Sequence, residues 1–279
     1  MTEFLDVPGG RIAYDVTGNG PLVLCAPGMG DLRQSYRFLV PALAEAGYRV
    51  AMMDLRGHGE SSRGWDSYSQ VALGGDMVAL IRRLGGGPAV VVGQSFTPDS
   101  ALVAATELPD EIVGTVLIAP WARRPTLNVV MRSLQAAVVR TPILWSMFYA
   151  SLYPGTKPAD FSSYRAALKA SLRGRGGTAA LAAMANRSSV DAEPYRSSPS
   201  QPALIVMGTK DPDFTDPRNE AEAMAADLST DPDIVMIDDA GHYPHAQAPN
   251  DTAVAISNFL GRVLVTSKPE RTGSENYSK

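Results

Sequence analysis

The chain has 279 residues, enough for one large α/β domain or a domain with an insertion, and for a core that needs no covalent staples. A composition of 45% hydrophobic and 19% charged residues is that of an ordinary globular protein, and a net charge of −4 argues against a nucleic-acid-binding protein. The single cysteine, Cys25, excludes an internal disulfide and a cysteine-based metal site; it is most simply a small buried hydrophobe.

The amino-terminal segment has no long apolar run. Residues 1–10 include Glu3 and Asp6, which argues against a signal peptide or a membrane span in this segment. We therefore expect a cytoplasmic protein with no membrane partner.

Short apolar segments alternate with segments of helical spacing along most of the chain. This alternation is typical of a mostly parallel sheet that is covered by helices on both faces. The turn Pro8-Gly9-Gly10 predicts that the first two strands form a hairpin. The predicted strands are residues 4–7, 11–16, 21–25, 49–53, 89–92, 112–119, 204–207 and 234–237. The predicted helices are residues 35–46, 68–84, 98–108, 217–228 and 251–265.

The alternation stops between residues 121 and 201, where the sequence is helix-like and includes the apolar cluster 144–149. We predict a helical insertion here, with residues 1–120 and 202–265 as the core and the polar residues 266–279 as a disordered tail. The insertion holds eleven Lys or Arg and three Asp or Glu, a net charge of +8, which leaves −12 for the rest of the chain.

The segment 89–97 combines an apolar strand, a Gly-x-Ser turn and the start of a helix. In this context a serine projects from the carboxyl edge of a parallel sheet, and the following helix aims free N–H groups at the same point. Ser95 is therefore the candidate nucleophile. A serine hydroxyl needs a base within hydrogen-bond reach, and the base needs an orienting carboxylate.

The two partners of such a serine are found just after the last two predicted strands. Asp211 follows strand 204–207 and His242 follows strand 234–237, so both lie at the edge that carries Ser95. The order Ser, Asp, His is the one found in enzymes with this strand–turn–helix nucleophile.

Other residues compete for these roles. His245 is an alternative base, and Asp213 and Asp216 are alternative acids. We interpret His58 as a structural turn residue, and Asp54 as a residue that caps the same turn.

Taken together, these motifs resemble the α/β-hydrolase superfamily over residues 11–265. The resemblance implies an α/β-hydrolase fold: a mostly parallel, eight-stranded sheet flanked by helices, with a helical cap inserted after strand 6, which fits residues 121–201. The matching pieces are the oxyanion loop Pro27-Gly28-Met29-Gly30, the turn 54–61, the elbow Gly93-Gln94-Ser95, the acid Asp211 and the base loop 241–245.

The resemblance also implies roles for these residues. Ser95 would be the nucleophile, His242 the general base and then acid, and Asp211 the carboxylate that orients it. The backbone N–H groups of Met29 and Phe96 would form the oxyanion hole, in which each donor is typically worth about 3 kcal/mol of transition-state stabilisation.

The expected activity is hydrolysis of a small ester or lactone, without a metal or an organic cofactor. Alternatives are a ligand-binding or regulatory protein whose triad is vestigial or slow, and amide hydrolysis, C–C hydrolysis or perhydrolysis on the same triad. We expect a monomer or homodimer with a small-molecule substrate and no nucleic-acid partner.

The basic charge of the cap has two interpretations. It could belong to solvated helix faces, or it could attract an anionic substrate or an acidic protein. Candidate pocket residues are Gly28, Gln94, Trp121, Trp145, Phe148 and Tyr149, of which the cap aromatics could equally form a helical core.

The elbow departs from the family pattern at its last position, where Thr97 replaces a glycine. Misplaced bulk in a packed site costs about 1–3 kcal/mol, so the sequence predicts a narrowed pocket behind the serine. Pro98 lies in the first turn of the following helix, where its missing N–H has no helical partner. The small neighbours that could absorb the threonine are Gly74, Gly75 and Ala101.

Overall fold

The computed structural model describes residues 1–123, 127–186 and 190–266. The predicted tail therefore lies, from residue 267 onward, outside the described residues. The same is true of Arg124 and Arg187, two of the charges counted in the basic insertion.

Among the described residues, eight strands form one sheet in the order β1-β2-β4-β3-β5-β6-β7-β8. β1 pairs antiparallel with β2 and β2 with β4, whereas all the other pairs are parallel. This confirms the mostly parallel sheet expected from the sequence. The strands are β1 Glu3–Val7, β2 Gly10–Thr17, β3 Leu22–Ala26, β4 Arg49–Met53, β5 Ala89–Gln94, β6 Ile112–Ile118, β7 Ala203–Gly208 and β8 Asp233–Ile237.

Helices cover both faces of this sheet and fill the segment between β6 and β7. They are α1 Leu39–Glu45, α2 Gln70–Arg83, α3 Pro98–Glu107, α4 Val129–Arg140, α5 Pro142–Ser151, α6 Phe161–Arg173, α7 Gly177–Met184, α8 Pro217–Asp227, α9 Pro244–Gln247 and α10 Pro249–Thr266.

The single helix predicted over residues 35–46 is two elements in the structure. A 3₁₀ turn spans Arg33–Tyr36 and α1 begins only at Leu39. Pro41 explains the break, because its ring would clash with the carbonyl of Arg37 if the helix ran through. The proline is tolerated in the first turn of α1, where its missing N–H has no partner to lose.

The strands bury both of their faces, as parallel strands do. In β5, Val90 and Val92 join the apolar cluster on one face of the sheet, and Ala89 and Val91 join the cluster on the other. The carboxyl ends of β3, β5, β7 and β8 lie at one edge. The loops that follow them carry Gly28, Ser95, Asp211 and His242.

Helices α4–α7 lie between β6 and β7, where the insertion was predicted. They pack on one another around a third apolar cluster, rich in tyrosine and phenylalanine, that also takes in Tyr243 from the loop after β8. This segment is called the insertion below. Its role as a cap and the domain boundaries stay predictions.

Candidate active site

Ser95 lies in the sharp turn between β5 and α3. Its φ is +59°, a region that non-glycine residues rarely adopt, and its backbone N–H donates to the carbonyl of Ile118 at 2.9 Å. At Gly93, an added Cβ would lie 2.6 Å from the carbonyl oxygen of Thr97, so the strand and the turn approach too closely for a side chain. The serine side chain itself is partly exposed. Strained, well-held residues of this kind are typical of functional sites.

Thr97 is fully buried and its hydroxyl is held on every side. The Oγ1 accepts the backbone N–H of Gln94 at 2.9 Å and lies 3.0 Å from the carbonyl of Ala26 and 3.2 Å from that of Pro27. The side chain therefore joins the turn after β5 to the loop after β3. Gly74 was expected to make room for Thr97. In the structure it makes room for Val103 instead, because a Cβ added at Gly74 would lie 2.6 Å from that side chain.

The loop after β3 lies directly against the serine turn. A Cβ added at Gly28 would be 2.4 Å from Oε1 of Gln94 and 3.1 Å from Cβ of Ser95, so the backbone there approaches as only glycine allows. The N–H of Gly30 donates to Nε2 of His58 at 2.9 Å. His58 therefore carries its proton on Nδ1, which donates to the carbonyl of Arg56 at 2.8 Å.

His58 is buried, and burial lowers the pKa of its imidazole to about 4. It is thus neutral and fixed as an acceptor for the loop after β3. This geometry supports the interpretation of His58 as a structural residue, and it adds that the structure in question is the loop beside Ser95.

Asp211 and His242 are brought together at the ends of β7 and β8. Nδ1 of His242 donates to Oδ2 of Asp211 at 2.7 Å, and both side chains are buried. The backbone of His242 is held from two sides: its N–H donates to the carbonyl of Leu152 in the insertion at 3.1 Å, and its carbonyl accepts Nε2 of Gln94 at 3.2 Å. An imidazole held in this way keeps Nε2 free to take a proton.

Asp213 is a second carboxylate at His242, with Oδ2 3.7 Å from Nδ1. Burial by itself disfavours the charged imidazole, but Asp211 and Asp213 outweigh it and raise the pKa of His242 to about 9. Burial raises the pKa of Asp213. One ligand atom from each of these three side chains lies within 4.8 Å of the others, so they could also hold a metal ion. Nδ1 of His242 is already bonded to Asp211, however, and we keep the expectation of a metal-free site.

The other candidates for base and acid are engaged elsewhere. His245 stacks on Tyr36 with ring centroids 4.7 Å apart, and its Nε2 lies 2.9 Å from the hydroxyl of Ser35. Burial lowers the pKa of His245 to about 3. Asp216 caps α8, with Oδ1 accepting the N–H of Asn219 at 3.1 Å.

Asp31 belongs to the site's surroundings and was missed from the sequence. Its carboxylate is fully buried, accepts the hydroxyl of Tyr164 at 2.5 Å and lies 3.4 Å from the hydroxyl of Tyr149. Burial raises the pKa of Asp31 to about 6. The only signal in the sequence was the tyrosine-rich stretch of the insertion, which does not say what those hydroxyls would bond.

The candidate pocket residues have different environments. Gln94 and Tyr149 have no exposed surface, so they contact the protein rather than open space. Trp145 is also buried and donates from Nε1 to the carbonyl of Gly30 at 3.1 Å. Trp121 is half-buried against Phe214. The half-buried Phe148 packs on Trp145, with ring centroids 5.4 Å apart.

The site thus contains a serine on a strained turn, a histidine–aspartate pair at neighbouring strand ends and a glycine loop against the serine. The model of the alpha/beta hydrolase family matches residues 23–256. The chain belongs to this family. Both the order of strands in the sheet and the sequence match are those of an alpha/beta hydrolase.

Relatives of this alpha/beta hydrolase carry different hydrolytic chemistries. It is 28% identical over 262 residues to the 2-(acetamidomethylene)succinate hydrolase of Mesorhizobium japonicum, a match that covers 90% of this chain and 92% of the relative. It is 38% identical over 112 residues to epoxide hydrolase B of Mycobacterium tuberculosis, which is 39% of this chain and 32% of that one. Among solved structures, a thermophilic esterase from Thermogutta terrifontis is 25% identical with a TM-score of 0.76 over 94% of this chain and 99% of the esterase.

Proposed function

We propose that this alpha/beta hydrolase cleaves a small ester or lactone through an acyl-enzyme on Ser95. The observation that carries the proposal is the 2.7 Å hydrogen bond between His242 and Asp211, on the strand ends beside a serine with a φ of +59°. Some members of the family use an aspartate as the nucleophile at this turn, whereas this chain has Ser95 there.

The proposed reaction uses only side chains and backbone groups of this chain. Oγ of Ser95 attacks the carbonyl carbon while Nε2 of His242 takes the hydroxyl proton, and Asp211 stabilises the imidazolium that forms. The N–H groups of Met29 and Phe96 would donate to the oxyanion of the tetrahedral intermediate. Collapse expels the alcohol, which receives the proton from His242. Water then attacks the acyl-enzyme while His242 takes its proton. Collapse of this second intermediate breaks the bond between the acyl carbon and Oγ, so that the acid leaves and Ser95 regains its proton from His242.

A second candidate is hydrolysis of an acetamido group by the same side chains. It is favoured by the relative that matches 90% of this chain, whose name describes an acetamido-substituted succinate as the substrate. A succinate carries two carboxylates and is anionic. The acidic groups that act on His242, which are Asp211, Asp213 and Asp31, oppose an anionic substrate. The neutral ester therefore stays the first proposal.

The test is a burst assay with p-nitrophenyl acetate and p-nitrophenyl butyrate on the wild type and on Ser95→Ala. We expect a burst equal to the enzyme concentration in the wild type and none in the variant, because only an acyl-enzyme releases one nitrophenol per site before turnover. Absence of a burst together with absence of labelling by a fluorophosphonate would contradict the proposal and favour a ligand-binding protein on this fold.

Substrate charge is tested separately, with a neutral ester and a carboxylate-bearing ester at low and high ionic strength. If the basic insertion steers anions, kcat/KM for the charged ester falls as salt rises, while that for the neutral ester does not. A flat response for both esters would leave solvated helix faces as the interpretation of the basic charge.

A further inference from the structure

Exposed aliphatic side chains are concentrated on two consecutive helices of the insertion. Among the described residues, ten large hydrophobic side chains are exposed, and seven of them lie on α4 and α5. Isolated exposed hydrophobics are normal on a soluble protein, but a cluster marks an interaction surface. The seven, which we name the α4–α5 face, are Val129, Val130, Met131, Leu134, Ile143, Leu144 and Met147.

The α4–α5 face is the outward side of both helices. On α4, Val130 and Leu134 are one turn apart with exposures of 74% and 55%, and Val139 is the buried residue on the other side. On α5, Ile143 and Met147 are likewise one turn apart, opposite the buried Trp145 and Tyr149. A helix that packs by one side normally presents polar residues on the other. Here the outward side carries large apolar side chains as well as the buried side.

The charge of the segment that carries this face is almost entirely positive. Residues 127–186 contain seven Lys or Arg and one acid, Asp160, which is paired with Arg37. Arg132 and Arg140 are exposed on α4 itself. Among the described residues their guanidinium groups bond the backbone carbonyls of Leu127 and Ala136 rather than a carboxylate. Exposed aliphatics flanked by cations match a surface that is apolar within and anionic at its boundary.

We propose that the α4–α5 face docks this protein peripherally onto an anionic lipid bilayer. A symmetric pair of copies joined through this face would bring like charges together. A copy docked by its acidic core would make a head-to-tail contact, which gives a ring or a filament rather than a pair. None of the described helices is both long enough and apolar enough to cross a bilayer, so the contact is interfacial. This proposal differs from the expectation of no membrane partner, and it does not depend on the hydrolytic activity.

The test is co-sedimentation of the full chain with vesicles of phosphatidylcholine alone or with about a quarter phosphatidylglycerol, at low and high salt. We expect binding to the anionic vesicles only, weakened by salt. The double variant Val130→Asn/Leu134→Asn should reduce binding at least about tenfold, because it removes apolar side chains that enter the interface. The matched control is Val254→Asn on α10, which changes a side chain of 61% exposure outside the face and should bind like the wild type.

Three results would overturn the proposal. One is no binding to either vesicle, and another is equal loss of binding in Val254→Asn and the double variant. The third is a concentration-dependent dimer, measured by light scattering, that the double variant abolishes, since the face would then be an interface between copies. Light scattering of all three proteins therefore accompanies the sedimentation.

Discussion

The sheet edge around Ser95 and the insertion α4–α7 are in contact but are constructed in opposite ways. At the sheet edge, buried polar groups bond one another at short range, as Thr97 does with Gln94 and His242 with Asp211. On α4, by contrast, most of the side chains are exposed, and four of them are large and apolar. The proposed active site is therefore held by the core, whereas α4 of the insertion presents apolar side chains to solvent.

The insertion nevertheless reaches the site at a few points. Leu152 accepts the N–H of His242, and Trp145 donates to the carbonyl of Gly30. Substitutions at the sheet edge should therefore affect turnover strongly, and substitutions at these contacts weakly.

The largest effect is expected for Asp211→Asn. An amide cannot hold the imidazole in the tautomer that leaves Nε2 free, so kcat should fall by roughly 10⁴-fold with little change in fold. Steady-state kinetics and circular dichroism measure the two. A loss of less than about tenfold would move the role of orienting acid to another carboxylate.

Asp213→Asn is the matched variant, because Asp213 also faces Nδ1 but at 3.7 Å. Its removal should lower the pKa of His242, so that the acid limb of kcat/KM moves to lower pH while kcat at alkaline pH is kept. In the wild type this limb should lie well above neutrality, because a pKa of about 9 leaves the base protonated below that pH. A pH profile identical to that of the wild type would contradict the assignment.

Substitutions of Thr97 test whether its hydroxyl group holds the loop beside Ser95. Thr97→Val keeps the shape but loses the hydroxyl that joins Gln94 to Ala26, and we expect kcat to fall by roughly 10²-fold, as for a misplaced catalytic group. Thr97→Ser keeps the hydroxyl and should retain most of the activity. If both variants lose the same activity, the methyl group matters rather than the hydrogen bonds.

Asp31 lies where the core meets the insertion, and a substitution there should change the free energy of unfolding. The pKa of Asp31 is raised from the reference value of 3.8 to about 6 in the folded protein. Below about pH 4 the carboxyl is protonated in both the folded and the unfolded state, so it has no pH-dependent effect on stability. Above about pH 6 it is ionised in both states, and the buried charge destabilises the fold by its full amount. Asp31→Asn should therefore gain stability relative to the wild type as pH rises from about 4 to about 7, by up to about 3 kcal/mol.

Denaturant unfolding at several pH values measures this difference. Tyr164→Phe is the control: it removes a donor to the carboxylate and should destabilise the protein most at neutral pH. A stability difference between Asp31→Asn and wild type that does not change with pH would contradict the buried charge.

The smallest effect is expected for Trp145→Phe, which removes the donor to the carbonyl of Gly30. The loss should be about 1–3 kcal/mol of unfolding free energy, since a buried acceptor is left without its partner. Thermal unfolding measures the loss, and kcat should change by less than in Thr97→Val. A larger loss of kcat than of stability would mean that the insertion, too, positions the reacting groups.

The sequence by itself determined the sheet, the order of its strands along the chain and the residues at the strand ends. This is because apolar runs of strand length, broken by glycine turns, have few ways to bury both faces. The same reasoning brought Asp211 and His242 to one edge. Among the elements of the fold, it misjudged local details such as the break at Pro41, which the predicted helix ran through.

Tertiary structure decided what Thr97, Asp31 and His58 do, because their partners are far away in the chain. Thr97 appeared as bulk in the sequence and is a bridge in the structure, since the carbonyl of Ala26 lies 71 residues away. The outward aliphatic face of α4 could not be found either, because periodicity marks an apolar side but not which way it points. Long-range contacts, rather than local pattern, fix these features, and a single sequence does not contain their distances.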